Sequence, residues 1–201
     1  MIVETLVQKT TNFSVIMFKL IFQKIRRSFE TPENYARRIG VKVGKGCRIN
    51  TKSYSTEPYL IEIGDNVRIA PGTSFYTHGG VIPIRKIYND PDLDHFGKIK
   101  IGNDTYIGEH CMIMPGVTIG EHCVIGGGSV VTKSVPDGCM VAGNPAKFIG
   151  YTDDFYHRLK DKGFDTKTGR LSLKEKKSVL LSLSEDRFEH KPFVKLPEKQ
   201  Q

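Results

Sequence analysis

At 201 residues, with 38% hydrophobic and 26% charged side chains, the chain has the composition of a soluble globular domain with extensions and is long enough to bury a core. No apolar run reaches the roughly 18 residues of a membrane span, because Lys19 and Lys24 interrupt the best candidate, and Glu4 precedes the apolar stretch where a leader would be basic, so neither a bilayer crossing nor export is expected. The net charge of +8 is uneven, with ten positive and three negative side chains from Met1 to Arg48 against seven and ten from Ile49 to Ala146, and no nucleic-acid-binding pattern accompanies it, so no nucleic-acid partner is expected.

In chain order, residues 12–29 place Phe13, Ile16, Met17, Leu20 and Ile21 on one face of a helical wheel, with Lys24 and Arg27 at its edge. This predicts an amphipathic helix that caps the open strand edges of whatever follows, or lies on a membrane surface through its basic edge. Thr31-Pro32-Glu33 predicts a further helix, with Thr31 as N-cap and Pro32 in its first turn. Residues 1–40 thus read as a helical N-terminal extension.

From Val43 a period of six begins: VGKGCR, INTKSY from Ile49, IGDNVR from Ile63 and IAPGTS from Ile69. The step from Ile49 to Ile63 overshoots two hexads by two positions, which predicts a bulge near Glu57 and Pro58. Between residues 77 and 100 the register is lost. Gly79, Gly80, Pro83, Pro91 and the polar run around Asp92 predict a loop leaving the body of the domain, of a length that is usually functional.

The repeat is strongest from Ile101, in the hexads IGNDTY, IGEHCM, IMPGVT, IGEHCV, IGGGSV and VTKSVP. Ile or Val leads each one, and the fifth position holds Thr105, Cys111, Val117, Cys123, Ser129 and Val135, all small or β-branched. A lone strand shows period two and a helix 3.6, so a period of six with two inward positions predicts a triangular solenoid in which three hexads close one coil. Cys47, Cys111, Cys123 and Cys139 show no C-x-x-C pairing, which suits a reduced, cytoplasmic setting. After Gly150 the sequence turns polar and charged, and residues 151–201 read as a partly helical C-terminal extension with one or two short helices before Leu183.

The order IGDNVRIAPG, TH, loop, IGNDTYIG, IMPGVTIG, IGGGSVVTK and VAGNPAK resembles the hexapeptide-repeat acyltransferases, especially galactoside and maltose acetyltransferases and the sugar O-acetyltransferases of capsule and O-antigen synthesis. The resemblance covers about residues 41–150 and implies an all-β solenoid, a left-handed parallel β-helix with a protruding loop and helical extensions. It further implies transfer of acetyl from acetyl-CoA to a hydroxyl of a sugar or polysaccharide precursor, by direct attack without a covalent enzyme intermediate. N-acetylation of an amino sugar, or a non-catalytic scaffold, are the rival readings.

By the same resemblance His78 is the general base, and imidazole suits the task because its ionisation lies near working pH. The oxyanion that direct attack would form is met by a backbone N–H in the Tyr106 to Glu109 region of a neighbouring subunit. Cofactor contacts map onto Tyr106, Glu109, Gly127, Thr132, Lys133 and Lys147, and acceptor contacts onto Asn50, Asp94 and His95. A homotrimer with sites between subunits is implied as well. His110 and His122, at fourth positions of hexads, are expected on the surface. No His-x4-His pair of the kind a zinc-dependent β-helix enzyme needs is present, so no metal is expected.

Overall fold

The computed structural model describes residues 29–194, so the helix expected over residues 12–29 and its cap or membrane role lie outside the described residues apart from Phe29. The described residues divide into two compact units, separated between Gly150 and Tyr151.

Thr31 opens the first helix, α1 (Pro32–Ile39): its hydroxyl accepts from the Asn34 N–H at 3.3 Å, Pro32 fills the first turn, and Gly40 closes it in the left-handed region at φ 107°. Arg37 on this helix donates to the carbonyls of Val43 and Gly44, tying α1 to the first strand.

Fourteen strands follow among the described residues, almost all two or three residues long: β1 (Lys42–Val43), β2 (Arg48–Ile49), β3 (Ser53–Tyr54), β4 (Ile61–Ile63), β5 (Arg68–Ile69), β6 (Ser74–Phe75), β7 (Ile99–Ile101), β8 (Tyr106–Ile107), β9 (Met112–Ile113), β10 (Thr118–Ile119), β11 (Val124–Ile125), β12 (Val130–Val131), β13 (Cys139–Ala142) and β14 (Lys147–Tyr151). They form three parallel sheets, ordered β1-β4-β7-β10, β14-β13-β11-β8-β5-β2 and β12-β9-β6-β3. Thr118 pairs with Lys100, Val124 with Tyr106 and Val130 with Met112, each with the residue three hexads earlier, so three hexads make one coil on all three faces.

The core is the column the repeat predicts. Ile101, Ile107, Ile113, Ile119, Ile125 and Val131 are at most 4% exposed, and the six fifth-position residues at most 6%. The small fifth residues have a second task. Thr73 donates to the Gly108 carbonyl at 2.9 Å, Thr105 to Gly120 at 2.9 Å, Cys111 to Gly126 at 3.2 Å and Cys123 to Pro136 at 3.0 Å, each satisfying a carbonyl at a corner one coil away. Burial pushes the Cys111 and Cys123 thiols up from their ordinary value, which leaves them protonated packing groups.

The fourth position of most hexads turns the corner. Asn66, Asp104, His110 and His122 stand there at φ 53° to 58°, with Gly72, Gly116 and Gly128 at equivalent corners. Asn, Asp and Gly are the residues that tolerate this left-handed region, and here two histidines share it. Both are exposed, as the repeat predicts. The second position explains its glycines by close approach: a Cβ on Gly102 would lie 2.5 Å from the backbone of Gly120 in the next coil.

Two departures from the repeat shape the functional face. Tyr54 pairs with Phe75, five residues after Ile49 rather than six, so Ser53 faces outward and Tyr54 turns in to stack on Phe75 at 5.4 Å. The chain then adds a 3-10 turn at Pro58–Leu60, which is the bulge expected near Glu57 and Pro58. The second departure is the excursion expected over 77–100. It is not loop throughout, since it carries a helix, α2 (Ile82–Tyr88), and Ile99 and Lys100 already belong to β7. Its root is closed by an antiparallel bridge between His78 and Phe96, with Gly97 N–H donating to Thr77 O at 2.7 Å.

The second unit holds helices α3 (Thr152–Asp161) and α4 (Leu173–Ser182). Ser172 and Glu175 form a reciprocal capping box on α4, and Arg187 donates to Gly163 O at 2.7 Å. Among the described residues no helix is long and apolar enough to cross a membrane.

Candidate functional site

His78 follows β6 by three residues, and Glu57 follows β3 by three. Because β3 and β6 are paired in register, Tyr54 against Phe75, equal steps beyond them bring Glu57 beside His78 across adjacent coils. The 3-10 turn then carries the chain away.

The Glu57 carboxylate accepts three hydrogen bonds: from the Thr56 hydroxyl at 2.5 Å, the Thr77 hydroxyl at 2.8 Å and His78 Nδ1 at 2.8 Å. The Thr56 hydroxyl first, then the His78 ring, with help from Thr77, hold its carboxyl down to about 2. An anion on the Nδ1 side assigns the proton there and leaves Nε2 with its lone pair, which is the tautomer a general base needs. The His78 side chain is 42% exposed and the Glu57 side chain only 16%, so the ring is open to a ligand while its anchor is shielded. The Phe96 ring meets the imidazole edge-on at 6.3 Å.

His78 lines a cleft of about 440 Å³ with Thr56, Glu57, Gly79, Gly80, Ile82, Arg85, Asp94 and Phe96 among its walls. That volume suits a small ligand. Asp94 is in this cleft, ion-paired with Arg85 at 3.0 Å, while His95 is not part of its lining. The His95 ring is near Gly79, where an added Cβ would come within 3.3 Å of Nδ1.

The other expected site residues lie elsewhere. Asn50, Tyr106 and Glu109 share a second cleft of about 280 Å³ with Arg48, Arg68, Ile69, Ala70 and Pro71. Gly127, Thr132, Lys133 and Lys147 are exposed on the last coils. These last residues fit a long phosphorylated cofactor: Lys133 and Lys147 make no ion pair with any described residue, and Gly126 to Gly128 present bare backbone, with a Cβ on Gly127 reaching 3.3 Å from Glu109 O. Glu57, Arg48 and Arg68 are the residues that sequence reasoning missed. The sequence carried only the two-position overshoot between Ile49 and Ile63, which marks a break near Glu57 without showing that it meets His78.

A family model described as bacterial transferase hexapeptide, six repeats, matches residues 98–133. Protein CapG of Staphylococcus aureus is 42% identical over 177 residues, covering 86% of this chain and 99% of that protein. The chain belongs to the hexapeptide-repeat transferases. Within the family it is also 35% identical over 125 residues to the galactoside O-acetyltransferase of Escherichia coli K12, spanning 62% of this chain and 61% of that enzyme. Among solved structures, a hexapeptide-repeat acetyltransferase of Vibrio cholerae superposes with a TM-score of 0.53 at 26% identity, over 64% of this chain and 85% of that one. A further Vibrio cholerae structure, titled as that acetyltransferase complexed with acetyl coenzyme A, matches at 0.50 and 32% identity over 56% of this chain and 60% of that one. These matches agree with the left-handed β-helix implied by the sequence.

Proposed function

We propose that this hexapeptide-repeat acetyltransferase moves an acetyl group from acetyl-CoA to a hydroxyl of a sugar or polysaccharide precursor, with His78 as general base. The observation that carries the reading is the Glu57–His78 pair at 2.8 Å, opening onto a cleft wide enough for a sugar ring. When bound, acetyl-CoA supplies an activated acyl group. A hydroxyl is a poor nucleophile while protonated, so what the protein must add is a base at the attacking oxygen.

His78 Nε2 takes that proton, and the Glu57 carboxylate across the ring stabilises the imidazolium that results. Thr56 and Thr77 keep the carboxylate pointed at Nδ1. The base does not itself attack, which fits direct transfer: the acceptor oxygen bonds the acetyl carbon as the carbon–sulfur bond breaks, and the imidazolium would return its proton to the leaving thiolate. Arg85 and Asp94, locked to each other at 3.0 Å, offer a polar wall for acceptor hydroxyls. Lys133 and Lys147 would hold the cofactor phosphates, and Gly127 and Thr132 would lie beneath its pantetheine arm.

None of these four, nor Tyr106 or Glu109, lines the His78 cleft of the same chain. That separation supports a site completed by an adjacent copy in a homotrimer. The hydroxyl acceptor draws support from the Escherichia coli relative, which is named for O-acetylation of a galactoside.

The test is coenzyme A release against a panel of hydroxyl and amino sugars, with the wild type and His78→Ala. A positioned base contributes about 10²- to 10⁴-fold, so kcat is expected to fall by that factor with hydroxyl acceptors. Full turnover in the variant removes the base assignment, and turnover with amino sugars alone replaces O- by N-acetylation.

A further inference from the structure

Matched positions on two faces of the prism treat charge in opposite ways. On the sheet that begins with β1, outward side chains alternate: Lys42, Glu62 and Lys100 stand in register, and Lys42 Nζ meets Glu62 Oε1 at 2.6 Å. On the sheet that ends with β2, the same positions of the same coils hold Arg48, then Arg68, then Tyr106. Like charges directly opposite on paired strands repel, and strands lie only about 4.8 Å apart. Neither arginine makes an ion pair with any described residue.

Their surroundings are those of a ligand site. Both line the cleft of about 280 Å³ that also holds Asn50, Tyr106 and Glu109. Tyr106, 44% exposed, stands in register with Arg68 on the adjacent strand and adds an aromatic ring to the cleft, and Asn50 and Glu109 add an amide and a carboxylate. Aromatic, amide and carboxylate together recognise a sugar ring, whereas stacked guanidinium groups recognise phosphate oxygens through paired N–H donors. Glu109 offsets one of the two charges, so the cleft keeps a single net positive charge and selects for an anion without becoming a general polyanion surface.

We propose that Arg48 and Arg68 form a phosphate subsite for the acceptor, and that the acceptor is a sugar carried on a diphosphate rather than a free sugar. The inference rests on the acetyl-transfer reading for its acceptor but not for its anion. The donor residues Gly127, Thr132, Lys133 and Lys147 belong to the last coils. Arg48 and Arg68 belong to the first two, on the other side of Tyr106, so cofactor and acceptor phosphates approach Tyr106 from opposite ends of the prism. A nucleoside diphosphate and a polyprenyl diphosphate carry the same group, and the site as described reads only that group.

Calorimetric titration of the full chain with inorganic pyrophosphate, with the donor site kept filled by coenzyme A, tests the subsite directly. Arg48→Gln/Arg68→Gln is expected to weaken binding at least tenfold, while His78→Ala and Lys42→Gln/Lys100→Gln leave it unchanged. Equal loss in the Lys42/Lys100 variant means diffuse attraction and overturns the proposal. So does undiminished binding in the double arginine variant. Removing like charges from an exposed ladder is expected to leave the melting temperature unchanged or higher and the oligomer intact by light scattering; a variant that dissociates makes the arginines subunit contacts and overturns the proposal too.

In turnover, the double variant is expected to raise KM for a nucleoside-diphosphate sugar at least tenfold, with KM for acetyl-CoA unchanged. A rise confined to acetyl-CoA assigns the arginines to the donor and refutes the acceptor subsite. Running the same variant on a soluble nucleotide sugar and on vesicles bearing a polyprenyl-diphosphate sugar identifies which source is used. Pyrophosphate binding that depends on the arginines, in a protein that acetylates no acceptor, retains the anion site and removes only the acetyl-transfer reading.

Discussion

Truncating Ile107 to alanine tests the stacked core that holds both clefts in place. Ile107 is fully buried, and its strand β8 lies between β5 and β11, so its side chain is in line with Ile69 below and Ile125 above. Removing three carbons costs about 2.4 kcal/mol at about 0.8 kcal/mol each. Strands on both sides prevent collapse, and a residual void of about two water volumes, roughly 60 Å³, adds about 1.4 kcal/mol at about 24 cal/mol per Å³. The expected loss is therefore about 4 kcal/mol, a large share of the roughly 5–15 kcal/mol that stabilises a domain. Ile107→Val, which keeps most of the column filled, is expected to cost about 1 kcal/mol. Ile49→Ala is expected to fall between them, because β2 ends its sheet and leaves the void open to relaxation on one side. Urea unfolding followed by circular dichroism measures all three. A cost for Ile107→Ala below about 1.5 kcal/mol, or no greater than that of the exposed Thr118→Ala, refutes the stacked-column account.

Glu57→Gln keeps the shape of the anchor and removes its charge, and is expected to lower kcat about 10- to 100-fold with little change in either KM, a smaller loss than in a buried triad because the His78 ring is partly exposed. The same variant carries a stability signature. With its carboxyl held down from 4.5 to about 2, Glu57 stabilises the fold fully above pH 4.5, and that contribution disappears as pH falls through 2. The melting-temperature gap between wild type and Glu57→Gln should narrow steadily from pH 5 to pH 2; a gap that stays constant refutes the linkage. Lys133→Gln/Lys147→Gln is expected to raise KM for acetyl-CoA about tenfold and leave pyrophosphate binding intact. Mixed and reassembled with His78→Ala, it should regain part of the wild-type activity if the site is shared between copies, and activity no greater than that of the separate variants refutes the shared site.

The solenoid was legible because its rule is local. One large and one small inward residue per hexad can be counted directly, and every one counted from Ile101 to Val135 is buried. The bulge was legible for the same reason, as a break in the count near Glu57. Its content was not. Ser53 stands at the fifth position of a nominal hexad, yet it faces outward because the coil is one residue short there and Tyr54 takes the inward place. Only pairing across coils reveals that shift, and with it the approach of Glu57 to His78 from far along the chain. The helix Ile82–Tyr88 was hidden for another reason: Pro83 and the glycines before it are loop signals, but Pro83 sits in the first turn, where a helix tolerates proline. Arg48 and Arg68 stand in the sequence as two charges among many, since their alignment depends on how one coil registers on the next.

The short coil, the extra turn at Pro58–Leu60 and the long excursion after His78 all leave the prism at one corner, on successive coils, while the strands before and after them pair without interruption. Length at that corner can therefore change without disturbing the frame, because a longer detour adds only a logarithmic closure cost. Chemistry that needs two partners finds them on neighbouring rungs of a fixed ladder, and the pocket they serve is free to be re-cut for a different molecule.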